Sequence, residues 1–380
     1  MAPLSKSVAI VGVDESDEIG KVPGKSNLQH HAEAAHNALA DAGLSINEVN
    51  GLFTAGTSTL NLAEYLGIEP SFTDTTAVGG SSFIIHIAHA IAAINAGYCD
   101  VALVTHGEAG RSRRSRPGLD SADPGPQYET PYGFIGAPIN YAMAARRYMH
   151  LFGEDRTRQG MAEIAVATRK WAQMNPKAYI KDDMSFEDYH ESRWISWPFH
   201  LYDCCLVTDA GGAYVITSSE RAKDARKKPV YVLGAAESHD HNIISQMPDL
   251  TRSVARNTGP AALEMAGISH DDIDLAMIYD SFTYTVLATL ESLGFCGPGE
   301  GPDFVADQRT APKGNFPMNT SGGGLSYTHS GMYGMFLVLE AVRQLRGECG
   351  ERQLDNPKLC LVNGTGGSLS STGTTILAVD

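Results

Sequence analysis

Two copies of one segment decide the fold: Ala38-Leu-Ala-Asp-Ala-Gly-Leu-Ser-Ile-Asn-Glu-Val-Asn50 and Ala262-Leu-Glu-Met-Ala-Gly-Ile-Ser-His-Asp-Asp-Ile-Asp274. In each copy an amphipathic helix runs into a glycine, Gly43 or Gly267, which suits a left-handed helix cap. A strand-like run precedes each copy and an apolar run follows it, so the order strand, helix, strand occurs twice. The repeat therefore predicts an α/β protein built from two similar halves.

The similarity between the halves continues beyond these copies. In the first half, residues 79–94 start with Gly-Gly and are predicted to form a helix, which a buried strand at 100–104 follows. In the second half, residues 322–345 start with three glycines and are predicted to form the matching helix, which a strand at 359–362 follows. We therefore expect a pseudo-symmetric molecule with one glycine-opened central helix in each half.

The domain organisation follows from where the repeat is interrupted. The first half is predicted to comprise residues 1–115 and to be completed by residues 203–228, and the second half is predicted to comprise residues 229–380. Residues 116–202 lie between them and are rich in Arg, Pro, Gly, Tyr and Trp. We interpret this segment as an inserted loop region that covers a site.

Composition excludes several classes of function. The 380 residues are 43% hydrophobic and carry a formal net charge of −15, so an overall basic surface for nucleic acid is not expected. The longest apolar stretch, at 84–96, is shorter than the roughly 20 residues of a membrane span. The first residues lack the apolar core of a signal peptide, so we expect a cytoplasmic protein with reduced cysteines. No CxxC spacing occurs, and we expect no metal site.

Three motifs carry a resemblance to a known family. Residues 319–329, Asn-Thr-Ser-Gly-Gly-Gly-Leu-Ser-Tyr-Thr-His, are similar to the thiolase loop NxNGGAxAxGH. Tyr279-Asp-Ser-Phe282 stands where thiolases have Asn-Glu-Ala-Phe or His-Asp-Cys-Phe, and Gly364-Thr-Gly-Gly367 stands where they have CxGG. The chain thus resembles the thiolase superfamily, and within it the sterol-carrier-protein type. The resemblance implies two duplicated βαβαβ halves in a five-layered αβαβα arrangement.

The departures from the thiolase pattern concern the reactive cysteines. The two cysteine positions of thiolases fall on Gly80 and Gly364, so neither thiol is present. A glycine forms no acyl-enzyme, but its backbone N–H remains available. We therefore expect the N–H groups of Gly80 and Gly366 to form an oxyanion hole for a thioester enolate. That these glycines only permit tight helix packing is the alternative.

Two side chains are candidates for proton transfer. His329 occupies the position of the thiolase catalytic histidine, and the unperturbed pKa of about 6.5 of an imidazole suits this role. Tyr279 replaces a polar residue of the thiolase site, and its phenol can act as an acid without a shift in pKa. The sequence does not assign which of the two is the acid and which the base. Each is alternatively a hydrogen-bonded core residue.

Further residues are weaker candidates for contacts with substrate or coenzyme A. Ser81 and Ser82 either bind substrate, act as nucleophiles or cap the helix that follows them. Tyr284 and Tyr333 are alternates to the predicted tyrosine. The basic run that contains Arg111, Arg113 and Arg114 is predicted to hold the phosphates of coenzyme A or a partner protein, and a solvated surface loop is the alternative.

The missing cysteines and the Tyr-Asp-Ser-Phe motif resemble the acyl-CoA aldolases of steroid side-chain degradation. These enzymes cleave a β-hydroxyacyl-CoA by retro-aldol chemistry and act with a small zinc-ribbon and OB-fold partner of the DUF35 type. They place tyrosine at both key positions, whereas here the second is His329. The resemblance implies a carbon–carbon lyase that forms a homodimer and needs no cofactor beyond the CoA thioester itself. A thiolase-type acyltransferase that uses Ser81, Ser82 or a displaced cysteine, and a non-catalytic acyl-CoA-binding scaffold, are the alternatives.

Overall fold

A computed structural model describes residues 4–113 and 123–380. Its strands are β1 (Val8–Glu15), β2 (Gly51–Thr54), β3 (Phe72–Asp74), β4 (Val101–Ala109), β5 (Trp194–Ser196), β6 (Phe199–His200), β7 (Asp209–Ser218), β8 (Val230–His239), β9 (Leu275–Ile278), β10 (Leu359–Gly366) and β11 (Ser371–Ala378). Its α-helices are α1 (Asn27–Ala42), α2 (Thr59–Leu66), α3 (Ser82–Asn95), α4 (Pro124–Tyr128), α5 (Ala137–Phe152), α6 (Glu154–Gln173), α7 (Phe186–Glu191), α8 (Ser219–Ala222), α9 (Ala255–Ala266), α10 (Thr283–Leu293), α11 (Gly301–Phe304) and α12 (Gly334–Arg346). None of the helices among these residues is long and apolar enough to cross a membrane.

Nine of these strands form a mixed sheet in the order β3-β2-β4-β7-β1-β8-β11-β10-β9. The strand β1 pairs antiparallel with β8 through Ala9–Tyr231 and Ile10–Val230, and this short seam joins the two halves. On either side of the seam the order is the same, since β1, β7, β4 and β2 correspond to β8, β11, β10 and β9. The duplication predicted from the sequence is therefore confirmed.

The helices occupy three layers around this sheet. On one outer face α1 packs on β1, β4 and β7, and on the other α9 packs on β8 and β11. Between the halves lie α3 and α12, which contact each other and strands of both halves. The strands of each half form one layer, so two strand layers and three helix layers give the five-layered αβαβα arrangement that the family resemblance implied.

Local sequence signals explain where the repeated outer helices begin and end. Ser26 caps α1 in a capping box with Gln29, and α1 ends at Gly43 with φ of 72°. The equivalent helix α9 ends at Gly267 with φ of 71°. Both glycines therefore adopt the left-handed conformation predicted from the sequence, which glycine reaches without the steric penalty of a side chain.

The second central helix begins later than predicted. The glycine run at 322–324 does not open it, because Gly322 and Gly323 have φ values of 99° and 60°. Gly323–Tyr327 instead form a single π turn, and α12 starts at Gly334. The carboxylate of Asp280 accepts the backbone N–H groups of Gly324 and Leu325, at 2.7 and 3.3 Å, and so holds this turn.

The inserted region folds into helices α4 to α7 and the hairpin formed by β5 and β6. Helices α5 and α6 pack on each other, and α6 also packs on α10 of the second half. Residues 114–122, and with them Arg114, lie outside the described residues. The exact division of the chain into domains stays a prediction.

Buried histidines make the stability of the fold depend on pH. Burial lowers the pKa of His86, His106 and His329 to about 4, so in the folded state these imidazoles stay neutral at pH values where the unfolded chain binds protons. Burial raises the pKa of Asp280 to about 7, so the folded protein holds a proton there that the unfolded chain has lost. This proton offsets the uptake by one of the imidazoles on unfolding. Since net protons are bound on unfolding, the free energy of unfolding should fall as the pH drops from about 6.5 to about 4.

Urea unfolding at several pH values tests this expectation. The His86→Gln variant should show a shallower dependence, because one of the buried imidazoles is then missing. A urea concentration at the unfolding midpoint that stays constant or rises as the pH falls would contradict the proposed role of the buried histidines.

Candidate active site

A cavity of about 420 Å³ lies where the two halves meet the inserted region. Its lining includes all four residues predicted to carry the chemistry, namely Gly80, Tyr279, His329 and Gly366. Gly80 lies two residues before the central helix α3, Tyr279 directly follows β9, and Gly366 is the last residue of β10. The fold therefore brings together the motifs that the sequence separates.

Tyr279 and His329 form a hydrogen-bonded pair in this cavity. The Tyr279 hydroxyl lies 3.1 Å from Nε2 of His329. It also accepts the backbone N–H of Tyr333 at 3.0 Å, and Tyr333 caps the N-terminus of α12. With one lone pair occupied by this N–H, the phenolic O–H is directed to donate to a neutral imidazole.

The protonation states of the pair follow from burial. Burial raises the pKa of Tyr279 well above its usual value of about 10, although the Tyr333 N–H acts in the opposite direction. Burial lowers the pKa of His329 to about 4. At neutral pH the phenol therefore carries its proton and the imidazole is uncharged, so the pair holds one mobile proton and no net charge.

Residues of the first half fix the loop that carries His329. The Thr208 hydroxyl accepts the backbone N–H of His329 at 2.8 Å, and the Thr208 N–H donates to the His329 carbonyl at 3.1 Å. One residue further on, Nε2 of His106 lies 3.0 Å from both the carbonyl and the hydroxyl oxygen of Ser330. The imidazole is thus held by backbone contacts that leave its ring free to face Tyr279.

The glycines at the two thiolase cysteine positions are required by packing. A Cβ placed on Gly80 would lie 2.2 to 2.5 Å from the ring and hydroxyl atoms of Tyr279. A Cβ placed on Gly364 would lie 2.5 Å from Cδ1 of Ile84. The space that a cysteine would need at each position is therefore filled, at the first by the phenol of Tyr279 itself.

Two helix N-termini meet at the cavity. A Cβ on Gly334, the first residue of α12, would lie 2.1 Å from the carbonyl oxygen of Gly80, which stands just before α3. A Cβ on Gly79 would lie 2.6 Å from the backbone nitrogen of Gly367. Because the positive ends of both helix dipoles point to this region, it is electrostatically suited to a negative charge.

Ser81 and Ser82 take the structural one of the roles that the sequence left open for them. Both are fully buried and neither lines the cavity. The Ser81 hydroxyl lies 2.8 Å from that of Ser371, and the Ser82 hydroxyl donates to the Gly79 carbonyl at 2.7 Å. Because these hydroxyls are engaged in tying the start of α3 to its surroundings, the sequence-based placement of both serines at the substrate is corrected.

The two alternate tyrosines are also core residues. Tyr284 is fully buried in α10, where its hydroxyl donates to the Leu250 carbonyl at 3.0 Å. The hydroxyl of the buried Tyr333 lies 3.1 Å from that of Ser321. Neither side chain lines the cavity, so this placement is corrected as well, and Tyr333 contributes through its backbone N–H instead.

The basic run lies at the edge of the site. Arg111 is exposed, its guanidinium donates to the Val207 carbonyl at 3.2 Å, and Val207 lines the cavity. The guanidinium also lies over the ring of Tyr179, at 5.4 Å from its centroid. Arg113 is exposed too. Whether these arginines hold the phosphates of coenzyme A stays a prediction.

Sequence reasoning missed several residues that line the cavity. Tyr141 reaches it from α5, and the adjacent Cys204 and Cys205 reach it from the segment before β7. Thr365 lines it as well, and its buried hydroxyl has no hydrogen-bond partner among the described residues. The position of Thr365 between two motif glycines was the available signal, whereas Tyr141 stands in no motif.

The cavity contains no metal-ligand cluster. Within residues 4–113 and 123–380, His, Cys, Asp and Glu side chains form no group of three or more that is suited to a metal ion. Burial raises the pKa of the Cys204 thiol to about 12 and that of Cys205 further, so both thiols stay protonated.

Comparison with known proteins places this geometry in a family. Residues 236–379 match the family model "Thiolase C-terminal domain-like". The chain is 37% identical to the 17-hydroxy-3-oxo-4-pregnene-20-carboxyl-CoA lyase of Mycobacterium tuberculosis, over 90% of this chain and 92% of that protein. The chain belongs to the thiolase superfamily. Within it, this thiolase-like protein is also 35% identical to a steroid side-chain-cleaving aldolase of Thermomonospora curvata, over 96% and 97% of the two chains.

A solved structure supports the same assignment. The thiolase-like protein matches the structure described as "Ltp2-ChsH2(DUF35) aldolase" with a TM-score of 0.91 and 34% identity, over 99% of both chains. Its likeness to human mitochondrial 3-ketoacyl-CoA thiolase, with a TM-score of 0.74 and 15% identity, shows the shared fold.

The contact between Gly80 and Tyr279 yields a test of the site's packing. The Gly80→Ala variant should lower the free energy of unfolding by about 1–3 kcal/mol, because the added methyl overlaps the phenol ring. It should also break the hydrogen bond between Tyr279 and His329. Urea unfolding and a crystal structure of the variant measure the two effects. Gly24→Ala is the control, since a Cβ there meets nothing within 4 Å. A variant as stable as the wild type, with the hydrogen bond intact, would contradict this account.

Proposed function

We propose that this thiolase-like protein is a carbon–carbon lyase that cleaves a β-hydroxyacyl-CoA by a retro-aldol reaction, without an acyl-enzyme. The hydrogen-bonded pair of Tyr279 and His329 carries the proposal, because it can transfer protons in a chain whose two thiolase cysteine positions are both glycine. The names of the relatives, a CoA-thioester lyase and a side-chain-cleaving aldolase, support the same class of reaction.

The pair works as a proton relay. The phenolic oxygen of Tyr279 takes the proton of the substrate's β-hydroxyl while its own proton passes to Nε2 of His329. The bond between Cα and Cβ then breaks, and the products are a ketone or aldehyde and a thioester enolate. The enolate takes a proton at Cα from Tyr279, which recovers its proton from the imidazolium. Because burial penalises both ions, each transfer is coupled to the breaking or forming of a substrate bond.

The enolate oxygen needs stabilisation, and the junction of the halves supplies it. We propose that the backbone N–H groups of Gly80 and Gly366 bind this oxygen, as expected from the thiolase motifs. The N-termini of α3 and α12 add a favourable potential at the same place. Preorganised donors of this kind commonly contribute about 100-fold or more in rate.

The acyl group and the assembly are proposed from the relatives. We propose an acyl chain of the steroid side-chain type, with the phosphates of coenzyme A near Arg111 and Arg113. A DUF35-type partner is proposed because the related structure is described as a complex with one. A homodimer and a cytoplasmic location stay predictions.

Turnover of β-hydroxyacyl-CoA thioesters tests the function directly. The protein, alone and co-expressed with its DUF35-type partner, should release a carbonyl product and a shortened acyl-CoA, both detected by mass spectrometry. The Tyr279→Phe and His329→Ala variants should each lose at least about 100-fold in kcat, since each interrupts the relay. The Tyr284→Phe variant is the matched control and should retain activity. Normal turnover by the double variant of Tyr279 and His329 would refute the site assignment.

The pKa of His329 sets the pH dependence of this reaction. The neutral imidazole is the active form, so activity is lost only as the pH falls towards about 4. The alkaline limit lies above the usual pKa of a tyrosine, because burial raises that of Tyr279. We therefore expect kcat/KM to be nearly constant between about pH 5.5 and about pH 9. A profile with a midpoint near 6.5 would contradict a buried, neutral His329.

One observation favours a second candidate function. The thiols of Cys204 and Cys205 line the cavity and offer a displaced nucleophile for a thiolase-type acyl transfer. Their raised pKa values oppose it, since the thiolate is the nucleophile. Intact mass spectrometry after incubation with acyl-CoA decides between the two, because a stable acyl adduct on either cysteine would replace the lyase with an acyltransferase. We expect an unmodified mass.

A further inference from the structure

Helix α5 of the inserted region presents one face to the cavity. Ala137, Pro138 and Tyr141 all line it, and their spacing corresponds to one turn of an α-helix. Tyr141 is 3% exposed. Its position lies outside the motifs of both halves, so the sequence gives no reason for a tyrosine here.

The hydroxyl of Tyr141 contacts the backbone beside the proposed oxyanion hole. It donates to the carbonyl oxygen of Gly367 at 3.0 Å. The neighbouring Asn140 reaches the same turn, since its Nδ2 donates to the Ser368 hydroxyl at 3.2 Å. These bonds fix the turn that follows Gly366 at the end of β10.

The ring of Tyr141 forms part of a rigid aromatic wall. It packs on Phe282 with ring centroids 4.7 Å apart, and Phe282 stacks on Phe199 at 4.9 Å. Both Tyr141 and Phe282 line the cavity, and Phe199 behind them is fully buried. A wall supported in this way offers a fixed apolar surface to an acyl group.

We propose that Tyr141 is a positioning and specificity-determining residue of this site. Its hydroxyl holds the Gly366–Gly367 turn in place for the enolate, and its ring packs against the acyl group next to the reacting carbons, which favours a bulky apolar substituent over a small one. The inference rests on the proposed lyase function and extends it to a residue that contributes no proton and no oxyanion contact of its own.

Two substitutions separate the two roles. Tyr141→Phe removes the hydroxyl and keeps the ring, so kcat should fall about tenfold while KM changes by less than about twofold. Tyr141→Ala removes the wall, so the ratio of kcat/KM for β-hydroxy-β-phenylpropionyl-CoA over β-hydroxybutyryl-CoA should fall by at least about tenfold.

Tyr148→Phe is the matched control on the same helix. Tyr148 is buried too, but its hydroxyl donates to Glu291, away from the cavity. This variant should leave kcat, KM and the acyl preference unchanged, even where it lowers the melting temperature. If Tyr141→Phe and Tyr148→Phe affect kcat equally, or if Tyr141→Ala keeps the wild-type acyl preference, the inference is overturned.

Failure of the lyase function is recognised separately. A wild-type protein that cleaves no β-hydroxyacyl-CoA, with or without its partner, contradicts the proposed function. The acyl preference is then measured as the ratio of dissociation constants for phenylpropionyl-CoA and butyryl-CoA, in the wild type and in Tyr141→Ala. A shift of at least about tenfold towards the smaller thioester in the variant supports the role of the wall, and an unchanged ratio overturns it.

Discussion

The site depends on the absence of a side chain at Gly80. The phenol of Tyr279 lies so close to this glycine that even a methyl group would overlap it. A nucleophilic cysteine at this position and a tyrosine at 279 therefore exclude each other on steric grounds. The thiolase framework has room for the phenol of Tyr279 here because residue 80 carries no side chain.

The remaining geometry keeps that phenol in a defined state. Its oxygen receives an N–H from the start of α12 and faces the imidazole of His329, while burial keeps both groups uncharged. In the proposed reaction the same burial would make each ion costly, and the two helix N-termini and the glycine-rich turns would offset part of that cost. The groups that keep the phenol uncharged and the backbone groups that would offset a charge thus lie in one small region between the halves.

Much of the fold was predictable, because it rests on local signals that repeat. The glycine caps at Gly43 and Gly267 and the flanking apolar runs define two equal halves. The start of α12 was not predictable, since Gly322 and Gly323 adopt positive φ and the distant carboxylate of Asp280 holds the resulting turn. A run of glycines alone does not distinguish a helix start from such a turn.

The candidate site divides in the same way. Tyr279, His329, Gly80 and Gly366 stand in motifs and meet in one cavity. Ser81, Ser82 and Tyr284 instead belong to the core. Their placement could not be predicted, because the direction of each side chain depends on the rotation of its helix, which sequence spacing does not fix. Tyr141 depends on how the inserted region docks, and no local pattern reports that contact.

The loop of His329 belongs to the second half, yet Thr208 and His106 of the first half hold its backbone. The geometry of this loop therefore depends on both duplicated halves. A substitution at Thr208 or His106 should therefore change the effect of substitutions around His329, which is an epistasis between positions far apart in the sequence. A chimera that joins one half of this chain to the other half of a relative should need residues equivalent to Thr208 and His106 beside the loop of His329.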